Sequence, residues 1–461
     1  MKIFGKDVKG LNAHFMGVGG IGMSGLAEVL REQGAAVSGS DSGTKANLAR
    51  LEEMGIGIAR QQAATNVRKD MDLVVVSSAI RPDNPELVEA KALGLKIVHR
   101  AEVLAEIMAN YQSVAVSGTH GKTSTTALIY SVLRAAGLPV GVINGGILQE
   151  LGTNAVLPPK AGDWLVVEAD ESDASFLKLK PQVAVITNIE PEHMDTYGSE
   201  EKLVQAFIDF ADSAQVAVLC ADDPNVMLVE ARTSADVMSY GLEDGADVYA
   251  SMYAPQGGGM AFDASIRGGV LDDVVVALPG AHYVLNSLAA LAVASVLKAD
   301  VAKAAAGLAT FKGVGRRFTK VGTFNGADVI DDYGHHPTEI AAVLDAAKSV
   351  YAGKVVAVIQ PHRYTRLRDL MEEFAGCAKV ADAAVILPVY SAGEDAIEGV
   401  SHTMLAGKMA ARGLPAQVRA VDGEEDMVAA LEDLGLGAGD VVVCLGAGTI
   451  TDYAKHLAER G

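Results

Sequence analysis

Short apolar runs alternate with amphipathic stretches along almost the whole chain. The run from Ala13 to Gly17 enters a glycine-rich turn, the following "IGMSGLAEVLREQG" has helical spacing and ends at Gly34, and "AVSGSD" has the character of a strand. The same succession recurs at "DLVVVSSAI", "NPELVEAKALG" and "LKIVHR". Buried-type strands that alternate with helices are typical of parallel sheets covered by helices, so the first hundred residues predict one small parallel-sheet domain.

The alternation restarts twice further along the chain. The stretch "SVAVSGTHGKTSTTALIYSVLRAAG" predicts a strand, a tight turn and a long helix, with further strands at "DWLVVEAD", "QVAVITNI" and "QVAVLCADD". Short strand-like runs and the turn "PQGGGM" predict a small antiparallel lobe between about residues 235 and 279. Alternation resumes at "ADVIDDYG", "KVVAVIQP", "DAAVILPVY" and "GDVVVCLGAG". The sequence therefore predicts an α/β protein with three domains, at residues 1–108, 109–313 and 314–461.

Composition and charge argue against several classes of partner. The 461 residues carry a net charge of -20, which disfavours binding to DNA or to an anionic membrane. The three cysteines lie far apart without a C-x-x-C pair, which argues against disulfides and against a zinc site. We see no signal peptide and no apolar run of about 18 residues. We therefore expect a cytoplasmic protein with no nucleic-acid partner and no membrane insertion.

The segment "SGTHGKTSTTA" has the residues of a phosphate-binding loop. Gly118 and Gly121 allow the backbone to wrap around phosphate oxygens, while Lys122 supplies a cation and Thr123 offers a hydroxyl to Mg²⁺. A strict Walker A sequence requires glycine where this chain has Val116, so the loop is a shorter variant. A glycine-rich turn with a solvated lysine is the structural alternative. ATP and Mg²⁺ are the predicted ligands.

Acidic side chains follow two predicted strands of the central region. Carboxylates at the carboxyl ends of strands in an open α/β sheet face the ligand crevice and suit Mg²⁺. From spacing alone, ordinary polar loops explain them equally well, and imidazole is an unusual ligand for Mg²⁺. The candidates are Glu168, Asp170, Glu190, Glu192, His193 and Asp195.

A cationic cluster is predicted in the last third of this acidic chain. The segments "DDYGHHPTE" and "QPHRYTRLRD" each leave a predicted strand and enter a helix, and "GVGRRF" lies near the second domain boundary. Arginine suits a carboxylate, to which it donates two parallel hydrogen bonds, or a transferring phosphoryl group. The alternatives are helix capping by the histidine pair and pairing of the arginines with Asp369 or Glu372. The candidates are His335, His336, His362, Arg363, Arg366, Arg316 and Arg317.

The first turn, in "FMGVGGIGMSG", has the G-x-G-x-x-G spacing of a dinucleotide-binding turn at Gly17, Gly19 and Gly22. Asp41 follows Gly22 by nineteen residues, where an acidic residue that holds a ribose is expected. Taken alone, this pattern predicts NAD. It is weak evidence, because no pattern typical of hydride transfer accompanies it and the centre of the chain already predicts ATP.

The combined motifs carry a more specific signal than any one of them. The order "GVGGIGMSG", "GTHGKT", "EADESD", "TNIEPEHMD", "GRRF", "DDYGHHPTE" and "QPHRYTR" resembles the Mur ligase family, and within it the branch that adds L-alanine to UDP-N-acetylmuramate. The resemblance implies a Rossmann-like N-terminal domain for the UDP-sugar, a central P-loop ATPase-type domain and a Rossmann-like C-terminal domain that brings the amino acid. It also implies ATP-dependent ligation through an acyl phosphate, with ADP and phosphate as products.

The resemblance further implies roles for individual residues. Those for ATP are Gly118, Thr119, His120, Gly121, Lys122, Thr123, Asn286, Arg317 and Asp332. Those for the UDP-sugar are Gly17, Gly19, Gly20, Ile21, Gly22, Asp41, Ser78 and His99. Those for L-alanine are Tyr333, His335, His362, Arg363 and Arg366. The implied Mg²⁺ ligands are Thr123, Glu168 and His193, and the implied catalytic residues are Lys122, His193 and Arg317.

The sequence differs from the family pattern at two places, and three other functions would also use some of its motifs. Relatives often have R-H-N where this chain has Ala281, His282 and Tyr283, and Phe207 stands where some Mur ligases carry a carbamylated lysine, so we expect no such modification. A recycling ligase that attaches a whole peptide to the same UDP-sugar shares most motifs. A ParA-like ATP switch or an NAD-dependent dehydrogenase would leave several motifs unused. We expect a monomer or a weak homodimer.

Overall fold

The computed structural model describes residues 1–43, 46–413 and 415–461. Helices and strands alternate along this part of the chain, which confirms the predicted α/β class. The chain divides into two compact units. The first comprises Met1–Ser251, Asp263–Val274 and Leu285–Thr310, and the second comprises Met252–Phe262, Val275–Val284 and Phe311–Gly461.

The first hundred residues form a small sheet with flanking helices. Five strands form this sheet, β3 (Asn12–Met16), β4 (Ala36–Ser40), β5 (Gly57–Ala59), β6 (Leu73–Val76) and β7 (Ile97–His99), and β1 (Lys2–Ile3) and β2 (Lys6–Asp7) precede it. Its helices are α1 (Ile21–Glu32), α2 (Ala46–Glu53), α3 (Pro85–Ala92) and α4 (Arg100–Met108). The strands β5-β4-β3-β6-β7 are all parallel, while β1 and β2 form a separate antiparallel pair. This order is that of a Rossmann-type sheet, as the resemblance implies.

The central sheet is the largest among the described residues. Its strands are β8 (Gln112–Ser117), β9 (Val140–Leu148), β10 (Thr153–Val156), β11 (Trp164–Glu168), β12 (Val183–Ile186), β13 (Val216–Cys220), β14 (Asp236–Gly241), β15 (Val248–Gln256), β16 (Gly259–Ile266) and β17 (Gly269–Val276). The neighbouring helices along the chain are α5 (Lys122–Ala135), α6 (Met194–Tyr197), α7 (Glu200–Asp212), α8 (Pro224–Glu230), α9 (Ala281–Val296) and α10 (Val301–Ala309). The strand order is β10-β9-β11-β8-β12-β13-β14-β15-β16-β17.

The antiparallel lobe is smaller than the sequence suggests. We expected it to begin near residue 235, but β14 runs parallel to β13, because helix α8 provides the crossover that a parallel pair requires. Two-residue connections join β15 to β16 and β16 to β17, as in antiparallel hairpins. The antiparallel lobe therefore consists of these three strands. A second hairpin, between β9 and β10, was not expected at all.

The last third forms a mostly parallel sheet. Its strands are β18 (Thr319–Phe324), β19 (Ala327–Asp332), β20 (Val355–Ile359), β21 (Ala383–Ile386), β22 (Gln417–Ala420) and β23 (Val441–Leu445). Its helices are α11 (Pro337–Val350), α12 (Tyr364–Asp369), α13 (Met371–Gly376), α14 (His402–Arg412), α15 (Glu424–Glu432) and α16 (Ile450–Glu459). The order is β18-β19-β23-β20-β21-β22, with β18 antiparallel at one edge.

Alternate residues of these strands pack on opposite faces of the sheet. Ala357 and Ile359 of β20 join a core that includes residues of α11 and α14, whereas Val356 and Val358 join a core that includes residues of α15 and α16. Helices cover both faces, so both sets of side chains are buried. This explains why the parallel strands have continuous apolar sequences rather than alternating ones.

All three cysteines are buried free thiols, in β13, after α13 and in β23: Cys220, Cys377 and Cys444. Burial raises the pKa of the Cys220 and Cys377 thiols to about 12. Among the described residues, no helix combines the length and apolar character needed to cross a membrane.

Candidate active site

Three adjacent parallel strands bring the predicted nucleotide segments to one edge of the central sheet. Strand β8 lies between β11 and β12. Because the carboxyl ends of parallel strands meet at the same edge, the residues at and after the ends of these strands lie side by side. They are a phosphate loop (residues 118–121), an acidic segment (residues 168–173) and a clamp segment (residues 187–190).

The phosphate loop connects β8 to the N-terminus of α5. Gly118 has φ 136°, and a Cβ atom there would collide with the Thr187 hydroxyl and lie 3.0 Å from the Asn188 carbonyl. Gly121 is the N-cap of α5 with φ 80°. Both positions therefore need glycine, and the loop presents the backbone amides of a helix N-terminus, which favour bound anions.

The clamp segment holds the phosphate loop in place. The Thr119 amide donates to the Asn188 carbonyl (3.0 Å), the His120 amide donates to Asn188 Oδ1 (2.8 Å), and the Thr187 hydroxyl donates to the His120 carbonyl (2.6 Å). The Glu190 amide donates to Thr119 Oγ1 (2.8 Å). The sequence suggested Glu190 as a metal candidate; the structure shows that its backbone braces the loop and that its carboxylate lies 3.2 Å from His120 Nε2.

Lys122 directly follows the phosphate loop, as the first residue of α5. Its ammonium donates to the carbonyls of Gly118 (2.6 Å) and Thr119 (2.9 Å) and to Glu171 Oε1 (2.9 Å). Burial alone would lower the pKa of Lys122, but Glu171 and two further acidic residues outweigh burial and raise it, so the side chain stays charged. Burial raises the pKa of Glu171 to about 7, against the opposing effect of Lys122. The loop therefore holds a fixed cation.

The three residues implied for Mg²⁺ have different surroundings. Thr123 is buried in the first turn of α5. Glu168 ends β11 and accepts a hydrogen bond from the Gly145 amide (2.7 Å). His193 is the N-cap of α6 with φ 56°, and its Nε2 atom lies 3.9 Å from Glu171 Oε1. Glu171, which the resemblance did not assign, thus lies between Lys122 and His193.

The glycine turn (residues 17–22) connects β3 to α1. Gly20 is the N-cap and Ile21 the first residue of that helix. The Gly19 amide donates to Asp41 Oδ2 (2.8 Å), and the Gly43 amide donates to Asp41 Oδ1 (2.8 Å). Both oxygens of Asp41 therefore brace the backbone around the turn. A carboxylate that only holds a ribose would not require this arrangement.

A cation from another helix approaches the glycine turn. A Cβ atom on Gly22 would lie 3.5 Å from Nη1 of Arg100, the first residue of α4. Arg100 Nη2 in turn donates to Asp170 Oδ2 of the acidic segment (2.6 Å). The sequence did not indicate Arg100 as a candidate. Its only signal is its position at a strand-to-helix junction, next to the predicted residue His99.

The acidic segment also contacts the two side chains that the resemblance implied for the UDP-sugar. His99 Nε2 lies 3.2 Å from Ser78 Oγ and 3.3 Å from Asp173 Oδ2. The Ser78 hydroxyl also donates to Asp173. Burial alone would raise the pKa of Asp173, but the hydrogen bonds from His99, Ser175 and Ser78 lower it well below its usual range. The acidic segment thus contacts Lys122 next to the phosphate loop, Arg100 beside the glycine turn, and the pair Ser78 and His99.

The position implied for adenine lies beside the phosphate loop. Asn286 is buried in α9, and its Oδ1 atom would be 3.2 Å from a Cβ atom on Gly121.

In the second unit, the Asp332 carboxylate accepts hydrogen bonds from the Phe318 and Gly334 amides, each 2.7 Å. Burial raises the pKa of Asp332 to about 6, although Arg317 opposes the shift.

Arginines and aromatic rings form one continuous cluster in the second unit. Arg316 and Arg317 lie 4.7 and 5.2 Å from the Tyr333 ring centroid, within cation–π range. Centroid distances of 5.4 and 5.7 Å join Tyr333 to His335 and His335 to His362. The structure therefore brings together the side chains that the sequence placed in three separate segments.

His362 is neutral in this cluster. Burial, followed by the charges of His335, Arg366 and Arg363, lowers its pKa to about 3. Arg366 Nη1 lies 3.5 Å from His362 Nδ1, a distance at which the guanidinium donates to an unprotonated nitrogen. The proton of the neutral ring is then on Nε2.

Tyr390 is a member of the cluster that sequence reasoning missed. Its ring stacks on His362, with centroids 5.5 Å apart and planes at 17°, and its carbonyl accepts from the Arg363 amide (2.8 Å). Its neighbours "PVYSAG" carry no charge that would have marked it.

The structure supports one of the two structural alternatives for this region, helix capping by a histidine, but shows other partners for the two acidic residues. His336 caps α11, accepting from the Thr338 amide (3.4 Å), as the capping alternative proposed. Asp369 pairs with Arg368, and Glu372 pairs with Lys408 and Arg412, so these acidic residues have partners other than Arg363.

Family models match almost the whole chain. The model described as "Mur ligase family, catalytic domain" matches residues 12–112, "Mur ligase middle domain" matches residues 116–294, and "Mur ligase, glutamate ligase domain" matches residues 316–448. The chain belongs to the Mur ligase family. Its relation to other members extends over the full length of both proteins.

Two curated relatives and two solved structures illustrate this. A UDP-N-acetylmuramate--L-alanine ligase of Chelativorans sp. is 47% identical over 97% of both chains, and one of Methylorubrum populi is 49% identical over 96% of both. The crystal structure of the UDP-N-acetylmuramate-alanine ligase of Thermotoga maritima covers 98% of this Mur ligase and 99% of its own chain, with 28% identity and a TM-score of 0.84. A murein peptide ligase of Psychrobacter arcticus covers 98% of each chain with a TM-score of 0.72, and at 22% identity it shares the fold.

Proposed function

We propose that this Mur ligase uses ATP to join the amine of L-alanine to the lactyl carboxylate of UDP-N-acetylmuramate. One structural observation supports the proposal independently of the names of the relatives. The neighbouring residues Asp170 and Glu171 hold Arg100 beside the glycine turn and Lys122 in the phosphate loop. One acidic segment thus positions a cation at each of two anion-binding turns, as a ligase for two phosphorylated substrates requires.

The proposal assigns one substrate to each third of the chain. Residues 1–108 hold the UDP-sugar through the glycine turn, Ser78 and His99, and residues 109–313 hold ATP through the phosphate loop and Asn286. Residues 314–461 bring L-alanine through the arginine and aromatic cluster. Arg363 and Arg366 suit the amino-acid carboxylate, because a guanidinium can donate two hydrogen bonds to it.

The first step transfers the γ-phosphoryl group of ATP to the sugar carboxylate. A carboxylate oxygen forms a bond to the γ-phosphorus while the bond to the β-phosphate oxygen breaks, which leaves an acyl phosphate and ADP. Lys122 and the amides of the phosphate loop stabilise the negative charge on the phosphates. Arg317 is the proposed second cation for this charge.

The second step forms the amide bond. The amine of L-alanine attacks the acyl carbon and a tetrahedral intermediate forms. The nitrogen loses a proton to water, and the bond between the acyl carbon and the phosphate oxygen breaks as phosphate leaves. Holding the amine and the acyl carbon close together supplies much of the rate enhancement of such a step. His362, neutral with its proton on Nε2, provides a donor in the second unit without adding a charge that would repel the guanidinium groups.

We propose that Thr123, Glu168 and His193 hold Mg²⁺. The carboxylate and hydroxyl oxygens of Glu168 and Thr123 are the hard ligands that this ion prefers. When bound, Mg²⁺ neutralises charge on the β- and γ-phosphates. Two carboxylates lie near His193 Nε2, Glu192 at 3.6 Å and Glu171 at 3.9 Å, and their negative charge favours a cation in this region.

A phosphate-release assay tests the proposed function. With ATP and Mg²⁺ present, release should require both UDP-N-acetylmuramate and L-alanine, and the product should be UDP-N-acetylmuramoyl-L-alanine by mass spectrometry. Release that requires a murein tripeptide instead of L-alanine would identify a recycling ligase. Release that no sugar nucleotide affects would contradict ligation altogether.

We also propose that the enzyme acts in the cytoplasm as a monomer or weak homodimer. The three buried free thiols suit a reducing compartment. Light scattering at micromolar concentrations measures the mass directly, against 47.8 kDa for one chain.

A further inference from the structure

The hairpin of β9 and β10 packs against α1, the helix that begins at the glycine turn. Asn154 of β10 is fully buried at this contact. It lies so close to α1 that a Cβ atom on Gly25 would be 2.8 Å from Asn154 Nδ2. A buried amide side chain at a contact between a helix and a hairpin needs partners for its polar atoms.

The two hydrogens of the Asn154 amide have different acceptors. Nδ2 donates to the carbonyl of Ile21 in the first turn of α1 and to the carbonyl of Asn144 in β9, each at 3.0 Å. Both partners are carbonyl oxygens, so chemistry requires the nitrogen at this position. The Oδ1 atom is buried and has no hydrogen-bond partner among the described residues, which costs free energy. The favourable contribution of Asn154 therefore comes from the two hydrogen bonds that its Nδ2 atom donates.

The peptide group of each accepting carbonyl also carries the N–H of a residue at a predicted ligand site or in contact with one. The Ile21 carbonyl shares its peptide with the Gly22 amide, one of the helix N-terminal amides of the glycine turn. The Asn144 carbonyl shares its peptide with the Gly145 amide, which donates to Glu168 Oε2 at 2.7 Å. Hydrogen bonds connected in this way polarise one another. A single side chain thus joins the glycine turn to the carboxylate at the end of β11.

We infer that Asn154 is a positioning residue that couples binding at the glycine turn to binding at the phosphate loop. This inference rests on the proposed function, in which the glycine turn binds the UDP-sugar and Glu168 serves the Mg-nucleotide. An anion at the Gly22 amide strengthens the Asn154 bond to Ile21, and a cation at Glu168 alters the bond from Gly145. Each ligand therefore changes the affinity for the other, and linkage requires the two effects to be equal.

Titration calorimetry measures this coupling without turnover. The dissociation constant of UDP-N-acetylmuramate is determined alone and in the presence of saturating Mg²⁺ and AMPPNP, for the wild type and for Asn154→Ala. In the wild type, the two constants should differ by about five-fold or more. In Asn154→Ala, they should agree within about two-fold. The reciprocal titration should give the same factors.

Two further variants distinguish coupling from simple packing. Gly25→Ala places a methyl group against Nδ2 while Asn154 itself remains, so it should also abolish the coupling, and it serves if Asn154→Ala does not fold. Thr153→Val is the matched control, because Thr153 Oγ1 donates to Glu28 of α1 (2.9 Å) at the same contact without touching either peptide. It should lower the unfolding temperature and retain the wild-type coupling.

The inference is overturned if the wild type shows equal constants, or if both Asn154→Ala and Gly25→Ala retain the wild-type ratio. A wild type that does not bind UDP-N-acetylmuramate at all would instead overturn the proposed function.

Discussion

Both the glycine turn after β3 and the phosphate loop after β8 join a buried parallel strand to the N-terminus of a helix, yet they obtain their positive charge differently. In the phosphate loop the cation is Lys122, the first residue of α5, and it donates to carbonyls of the loop itself. In the glycine turn the cation is Arg100, which belongs to a separate helix and approaches from the side of Gly22.

The bracing of the two turns differs in the same way. Asp41 braces the glycine turn with a carboxylate, whereas amide and hydroxyl groups of the clamp segment brace the phosphate loop. Both turns have a carboxylate nearby, but the carboxylates have different partners: Asp41 accepts from backbone amides at the glycine turn, whereas Glu171 accepts from the cation Lys122 at the phosphate loop. In the proposed function, the glycine turn holds a diphosphate that does not react, and the phosphate loop holds the phosphates of ATP.

Removal of Lys122 should have the largest effect. Lys122→Ala should lower kcat by about 1,000-fold, because a charged donor to the transferring group is lost. The affinity for UDP-N-acetylmuramate should stay within about three-fold of wild type, measured by calorimetry. The exposed Lys160→Ala is the control. Loss of UDP-sugar binding in Lys122→Ala would contradict the separation of the two turns.

Removal of Arg100 should give the opposite result. Arg100→Ala should raise the dissociation constant of the UDP-sugar by about 30-fold, as expected for a charge-assisted contact of about 2 kcal/mol. The affinity for AMPPNP should change by less than about three-fold. Arg134→Ala, which removes an exposed partner of Glu150, is the matched control. If nucleotide binding weakens as much as sugar binding, Arg100 does not belong to the glycine turn alone.

Arg363 should affect neither turn. Arg363→Ala should raise the KM for L-alanine by about ten-fold and leave the KM values for ATP and the UDP-sugar unchanged, because we propose that Arg363 binds the carboxylate of the amino acid. Arg368→Ala, which removes an exposed ion pair with Asp369, provides the comparison. An unchanged KM for L-alanine would remove Arg363 from that site.

Asp332 offers a buried counterpart to Asp41, since each carboxylate accepts two backbone amide bonds. The pKa of Asp332 is raised to about 6 in the folded protein, so its contribution to stability is present below about pH 4 and is lost as the pH rises to about 6. Relative to Asp332→Asn, the wild type should lose a few degrees in unfolding temperature over this interval. Calorimetric scans at several pH values measure the difference, and a constant difference would show that Asp332 ionises normally.

Sequence patterns predicted the α/β class, the strand-to-helix turns and the residues of both nucleotide-type loops, because strong apolar periodicity and glycine spacing are local signals. They did not predict the β9 and β10 hairpin, whose strand "VGVINGGIL" is rich in glycine. They also missed contacts that depend on long-range packing. Arg100, Glu171 and Tyr390 acquire their roles only when separate segments meet, so no spacing along the chain reveals them.

The burial of all three cysteines has a practical consequence. A maleimide reacts with an exposed thiolate, and Cys220, Cys377 and Cys444 are neither exposed nor readily ionised. We therefore expect thiol-reactive dyes to label the natural chain very little. A pair of new cysteines at exposed sites, Val88→Cys in the first unit and Met404→Cys in the second, would carry a donor and an acceptor fluorophore without removal of any native residue from the core. Energy transfer would then measure the distance between the two dyes as each substrate is added.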